Sequence, residues 1–295
     1  MSAWLTDVHS SFGHRLVRNT RTTPWSALPP SLCGVADETH PGLPGGLAVV
    51  IPAKDEAERI AATVTAALAL PGADLVIVVD DGSGDDTAEI ARKAGAQVVS
   101  HEVNRGKAAA METGAARAAV LDGTSAPRAL LFIDADLEAS AAATATIVEP
   151  VLAGEADMTI ALIPPQATAG GGSGRVVRLS RKGIRQASGW TATQPLSGTR
   201  CISRPAFDAA LPLAIGWGVE TGLTIDVLGA GYRVIEVPCE LHHRVTGSDL
   251  RGQLHRAGQY RDVWLALLER RTRTVPVANR VFRPASKVVR KVLGG

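Results

Sequence analysis

The sequence predicts an α/β domain with a mainly parallel central sheet flanked by helices. Three observations carry this. Short apolar runs alternate with helix-period segments from Leu47 to about residue 137, the pattern of strands joined by right-handed helical crossovers. The runs close on polar, often acidic turns, and in such sheets ligands sit beyond the carboxyl ends of the strands. Hydrophobic residues make up 45% of the 295 and charged residues 20%, which fits a soluble globular chain. Aromatics are only 4%, so the core must rest on Ala, Val, Leu and Ile.

Residues 1–46 are rich in Pro, Ser, Thr and Gly and weakly periodic, and read as an irregular lead-in. Leu47–Ile51 is a buried strand stopped by Pro52. Ile60, Val64 and Leu68 recur at spacing four and mark one helical face. Leu75–Val79 is a second strand, closed by Asp80-Asp81-Gly82. A helix over about Asp86–Ala94 ends at Gly95. Gln97–Ser100 is a third strand, Lys107–Leu121 an Ala-rich helix, and Ala129–Ile133 a fourth strand. The later half is less regular. It offers a strand at Met158–Ile163, a Pro/Gly-rich loop from Pro164 to Gly174 and a helix over Val176–Ala187. Leu196–Ser203 is a strand or turn, Val219, Leu223 and Val227 mark a helix, Arg233–Val237 is a short strand, and Leu250–Leu268 is a long last helix. No repeat or strong linker divides the chain. One domain over 47–269, in halves 47–137 and 138–269, is expected between the lead-in and a tail at 270–295.

That tail carries Arg270, Arg271, Arg273, Arg280, Arg283, Lys287, Arg290 and Lys291 without an acid. It is suited to a solvated role or to peripheral contact with an anionic membrane surface. Cys33, Cys201 and Cys239 form no C-x-x-C pair and leave an odd count, which fits a reducing compartment. No signal-type segment opens the chain and no window reaches the length of a membrane span. A cytoplasmic protein is expected, peripheral at the inner membrane surface if the tail binds lipid.

Asp134 and Asp136 follow the fourth strand directly. In an extended segment, residues two apart face the same way. Two carboxylates so placed resist joint ionisation unless a cation sits beside them. Hard oxygen donors suit Mg²⁺ or Mn²⁺. Such an ion could hold a diphosphate and offset charge on a leaving group. The plain alternative is a solvated pair capping a helix over Leu137–Ala145.

Four segments occur in order: Val49-Val50-Ile51-Pro52-Ala53-Lys54-Asp55-Glu56, Val79-Asp80-Asp81-Gly82-Ser83, Asn104-Arg105-Gly106-Lys107 and Asp134-Ala135-Asp136. Together they resemble glycosyltransferase family 2 and its GT-A relatives over about residues 47–265. The resemblance implies a GT-A type domain, a nucleoside-diphosphate sugar as donor, and a nucleotide-binding first half before an acceptor half. It places Pro52, Ala53, Asp55 and Glu56 at the base and ribose, Asp81 and Asp134 at the nucleotide, and Lys107 at the ribose or diphosphate as a cationic donor. Each has a plainer role open to it: Asp55 and Glu56 as helix first-turn charges, Asp81 as a turn residue, Lys107 as a solvated helix lysine.

Later stretches resemble the glucosyl-3-phosphoglycerate synthases: Gly174-Arg175-Val176, Gln194-Pro195-Leu196-Ser197-Gly198, Gly216-Trp217-Gly218-Val219-Glu220 and His242-His243-Arg244. This likeness implies that His243, with His242 as fallback, completes the metal site beside Asp136. It implies that Gly174, Arg175, Val176, Gly218, Val219 and Glu220 face the acceptor and sugar. Glu220 could orient a hydroxyl or steady positive charge at the anomeric carbon, and Arg175 could grip an anion. Where those synthases carry a threonine that helps bind phosphoglycerate, this chain has Val177. The acceptor is therefore open among a small phosphorylated acid, a lipid-linked acceptor and a polysaccharide. The donor reading favours UDP-sugars, with no nucleic acid as partner, and is compatible with a homodimer. A nucleotidyltransferase would need a Gly-rich basic loop where Pro52–Glu56 stands. A non-catalytic sugar-nucleotide-binding module is the remaining alternative. The likeness to both groups leaves retention or inversion undecided.

Overall fold

The computed structural model describes residues 43–164, 174–241 and 250–273, with side chains from 257 to 271 in the last stretch. These fall in one compact unit. Strands β1 (Leu47–Ala53), β2 (Ala73–Asp80), β3 (Gln97–Ser100), β4 (Ala129–Phe132), β5 (Met158–Leu162), β6 (Arg200–Ile202) and β7 (Val234–Pro238) form one sheet, in the order β3-β2-β1-β4-β6-β5-β7. β1 pairs in parallel with β2 and β4, and β2 with β3. β6 runs antiparallel to both its neighbours, β4 and β5, while β7 is parallel to β5. The expected mainly parallel sheet is present, with one reversed strand.

The helices are α1 (Ile60–Leu68), α2 (Thr87–Lys93), α3 (Lys107–Asp122), α4 (Ala145–Leu152), α5 (Arg175–Ser188), α6 (Arg204–Ala209), α7 (Val219–Gly229) and α8 (Leu250–Arg273). Residues alternate across a strand, and β1 accordingly feeds two cores. Leu47, Val49 and Ile51 pack with α1, α2 and α4. Ala48 and Val50 pack with α3, α6 and α7. The Ala-rich composition of α3 lets it lie close to the sheet: a Cβ on Gly114 would stand 2.3 Å from Val50 Cγ1. A third cluster, Ile184, Ala192, Ile225, Val263 and Leu267, joins α5, α7 and α8. Among the described residues no helix is long and apolar enough to cross a membrane.

Several sequence expectations are corrected. β1 continues through Pro52. Its β4 side is last paired at Val50, so the missing Pro52 N–H falls where no ladder bond is needed. The buried face of α1 is Ile60, Thr63, Val64 and Ala67, and Leu68 is 42% exposed. The segment after the acidic pair is a 3₁₀ turn over Glu138–Thr144 leading into α4. The short helix α6, with its proline in the first turn, was not anticipated. α8 runs on to Arg273. Arg270 is thus no tail residue: it is 3% exposed and paired with Asp226 of α7.

Candidate active site

The loops after β1, β2, β3 and β4 meet at the carboxyl edge of the sheet, near the point where strand order reverses between β1 and β4. They are laced together. Asp55 N–H donates to Ser83 Oγ at 2.9 Å, and Gly84 N–H returns a bond to Asp55 Oδ1 at 2.7 Å. Glu56 N–H donates to Thr87 Oγ1, and Lys54 Nζ to the Gly82 carbonyl, both at 2.9 Å. Gly82 has φ +71 and lies against the next loop, where a Cβ would meet Val103 C at 2.8 Å.

Asp81 faces inward. Its Oδ1 accepts from Arg105 N–H at 2.8 Å and pairs with His101 Nδ1 at 2.7 Å, and its Oδ2 accepts from Gly106 N–H at 2.7 Å. Burial pushes this carboxyl up, but the N–H bonds and the histidine bring it below the usual carboxylate value. Both oxygens are engaged in holding the 101–106 loop, so Asp81 acts on the pocket through that loop.

The acidic pair sits on a braced turn. Asp134 and Asp136 are half-buried while Ala135 and Leu137 are buried. The hydroxyl of Thr63, on α1, donates to the Ala135 carbonyl and accepts from Glu138 N–H, each at 2.8 Å. Among the described residues, Asp55 and Glu138 are the non-glycine residues with positive φ, 55° and 49°. Such conformations persist where surrounding structure over-determines them, often at ligand sites. Arg59 stands between the two loops, 3.1 Å from Glu56 Oε2 and 3.6 Å from Glu138 Oε1.

Lys107 begins α3, and its Nζ lies 2.8 Å from Asp134 Oδ1 and 3.3 Å from Glu220 Oε1. Burial alone would lower its pKa, but the two carboxylates outweigh this and hold the ammonium well above the usual lysine value. Sequence reasoning quoted the 194–198 stretch without giving it a task, and two of its features matter here. A Cβ on Gly198 would stand 2.4 Å from Lys107 Nζ, so the glycine makes room for the bridge. Arg200, 1% exposed, donates to the carbonyls of Ser197, Glu220 and Pro195 and to Thr224 Oγ1. Burial pushes its pKa down to about 10, against the charges of Glu220 and Glu236. Arg200 thereby clamps the 195–198 turn to the start of α7.

Other expected site residues are placed as follows. Pro52 is half-buried and Ala53 is 3% exposed, its carbonyl accepting from Asp81 N–H. Gly174 and Arg175 open α5, Arg175 exposed and Val176 half-buried. Gly218 is buried in a 3₁₀ turn, where a Cβ would meet Asp262 O and Ala266 Cβ at 2.7 Å. Val219 is 1% exposed in the core with α3 and α6. The Val219 side chain therefore packs the core, and what this position could offer a substrate is its backbone. His242, His243 and the 170–173 glycines lie outside the described residues.

The residues at hand fit a divalent ion in kind, with two hard carboxylates past a strand and a cation already favoured at Asp134. Among the described residues no three His, Cys, Asp or Glu side chains gather into a complete cage. The Ser197 and Thr199 hydroxyls, on either side of Gly198, are buried without a protein hydrogen-bond partner.

Residues 48–209 match the family described as Glycosyl transferase family 2. The chain belongs to glycosyltransferase family 2. It is 47% identical to the succinoglycan biosynthesis protein ExoU of Rhizobium meliloti over 72 residues, covering 23% of this chain and 21% of that protein. It is 31% identical to glycosyltransferase AglJ of Haloferax volcanii over 217 residues, 70% of this chain and 66% of that one. The chain thus spans less than two thirds of the length of these curated relatives. Glucosyl-3-phosphoglycerate synthase of Mycobacterium tuberculosis, solved with Mn²⁺, UDP and phosphoglyceric acid, superposes with a TM-score of 0.60 at 30% identity, over 76% of this chain and 78% of that one. The GT-A fold is therefore shared with this family 2 chain, and its Lys107 bridge lies across the two halves of that fold.

Proposed function

We propose that this protein is a metal-dependent glycosyltransferase that moves a sugar from a UDP-sugar to an acceptor hydroxyl. The observation that carries the reading is Lys107 bonded to both Asp134 and Glu220. One carboxylate follows β4 in the first half and the other opens α7 in the second. A single cation thus sits where donor and acceptor elements meet. In this reading Pro52, Ala53, Asp55 and Glu56 receive the base and ribose, and Asp81 keeps the neighbouring loop in place. Asp134 and Lys107 meet the diphosphate end. The Lys107 ammonium offsets negative charge growing on the departing diphosphate. Glu220 orients the acceptor hydroxyl or steadies positive charge at the anomeric carbon. Asp136 and His243 would hold Mg²⁺ or Mn²⁺, which when bound neutralises diphosphate charge. The solved relative that holds Mn²⁺ and UDP supports the donor class.

The test is a thermal-shift screen of UDP-, GDP- and ADP-sugars with and without Mn²⁺, followed by donor turnover. A UDP-sugar should raise the midpoint most, and more with Mn²⁺. If no sugar nucleotide raises it, the donor assignment fails. Binding without turnover under any acceptor would make the protein a binding module. A narrower reading, synthesis of glucosyl-3-phosphoglycerate, is favoured by Arg175, exposed at the first turn of α5, where guanidinium and helix dipole both suit an anion. Val177 weighs against it. Product formation from UDP-glucose and 3-phosphoglycerate decides the matter, and its absence in an enzyme that turns over with another acceptor excludes this acceptor alone.

A further inference from the structure

We propose that the α5–α8 face docks this protein onto an anionic lipid bilayer. α5 carries Arg175, Arg178, Lys182 and Arg185 at spacings of three and four, which puts them on one stripe. All four are exposed, and α5 contains no acid. The fifth basic residue, Arg181, is drawn off to the carbonyls of Ala192 and Thr193. The opposite face of α5 is the buried one, with Ser180, Gly183 and Ile184. The basic stripe therefore stands outward by construction of the helix.

α8 continues this surface. Tyr260, Trp264 and Leu268 follow one another at spacing four and are exposed by 44%, 48% and 43%. The inner face of the same helix is Val263, Ala266, Leu267 and Arg270. In a chain with so few aromatics, an outward Tyr and Trp aligned with a Leu need a partner. The two stripes adjoin. Leu267 packs against Gly183, and Arg271 Nη2 donates to Gln186 Oε1 at 2.7 Å. The two helices thus lie side by side, with the Arg/Lys row of one next to the Tyr/Trp/Leu row of the other.

The chemistry of the occupant follows from the combination. Amphipathic Tyr and Trp rings settle at the boundary of headgroups and acyl chains, and cations beside them attract anionic headgroups. A second copy meeting this face by a two-fold axis would set the Arg row either on its own like or on the Tyr/Trp/Leu row, and in neither case would it offer those cations an anion. A nucleic acid would gain little from Leu268 and Leu265, which offer no hydrogen bond and no stacking plane. The basic residues beyond 273 extend the same charge along the sequence.

The experiment is co-sedimentation of the full chain with phosphatidylcholine vesicles, with and without phosphatidylglycerol, at low and high salt. Binding should need the anionic lipid and weaken with salt. At about 1 kcal/mol per surface cation, R178Q/K182Q/R185Q should bind roughly a hundred-fold more weakly. W264S/L268S, both at exposed positions, should also lose affinity, and both variants should keep the wild-type melting midpoint. The proposal is overturned if wild type ignores anionic vesicles, or if both variants bind as wild type does. It is equally overturned if deletion of 274–295 removes all binding while the helix variants change nothing. Two further results would reassign the face and overturn the proposal: a concentration-dependent dimer that W264S/L268S dissolves, or RNA displacing the protein from vesicles.

Discussion

Lys107 occupies the first turn of α3, where the helix dipole disfavours a cation. Asp134 and Glu220 more than compensate. Replacing it by Met would leave two carboxylates facing each other without their shared cation. K107M should lower kcat/KM for a nucleotide sugar by about 10²–10³, the scale of losing one charge-stabilising group. Steady-state kinetics with a fixed acceptor check this. The raised pKa fixes the pH sign: the stabilisation from both carboxylates is complete below the unfolded lysine value, about 10.4, and is lost as pH rises through the folded value. An alkaline limb of activity between pH 7 and 10 should therefore persist unchanged if it arises elsewhere, and Lys107 should not produce one. Asp81 carries the opposite sign. Its lowered pKa contributes stability above the unfolded aspartate value, about 3.9, that disappears as pH falls through the folded value. D81N should cost about 1–3 kcal/mol near neutrality, with less difference from wild type in acid, as melting curves across pH would register. Sequence reasoning gave Lys107 and Asp81 contacts with the donor; the structure adds that Asp81 holds the 101–106 loop. That second task is invisible in sequence, because a carboxylate before a glycine looks the same whether or not a neighbouring loop hangs from it.

At the scale of elements, the long strands and helices of both halves were legible and the shortest elements were not. β1 to β4 are buried apolar runs broken by polar turns, and their bounds were read to within two residues. β6 has three residues and α6 has six, too short for periodicity to speak. A start signal for α6 was present, since Ser203 precedes Arg204-Pro205 and proline favours a helix first turn. Arg200 was missed because arginine reads as surface, and nothing local marks the one that is buried. Its task predicts its weight. R200M should destabilise by about 3–5 kcal/mol, since four acceptors lose their donor inside the protein. That should lower the melting midpoint by roughly 6–20 °C. Thr63 makes a subtler prediction: T63V keeps shape but removes both bonds to the acidic turn. A loss of about 1–3 kcal/mol is expected, with activity falling further than a stability-matched core variant such as V64A.

For the molecule as a whole, the boundary at the carboxyl end is the clearest structural gain. Composition alone grouped residues 270–295 as one basic tail. The burial of Arg270 against Asp226 divides it, because an ion pair under the surface belongs to the fold. A chain ending at 273 should melt near the full-length midpoint. One ending at 269 should melt lower by several degrees, since the buried Arg270–Asp226 pair is lost. A UDP-sugar with Mn²⁺ at a hundred times its Kd should add about 2.7 kcal/mol of stability, raising the full-length midpoint by roughly 5–11 °C.

The reversed strand β6 also dictates an order of assembly. β1 to β4 pair with one another using residues no later than Phe132. β5, made next, has no partner among them; it pairs with β6 and β7, and Met158 meets Ile202. It must wait for a strand some forty residues further on, and that strand needs β4 as its template. In pulse-labelled hydrogen exchange, amides of β1, β2 and β4 should gain protection before those of β5 and β7. The nucleotide half would then exist, briefly, as a folded platform on which the acceptor half is laid down.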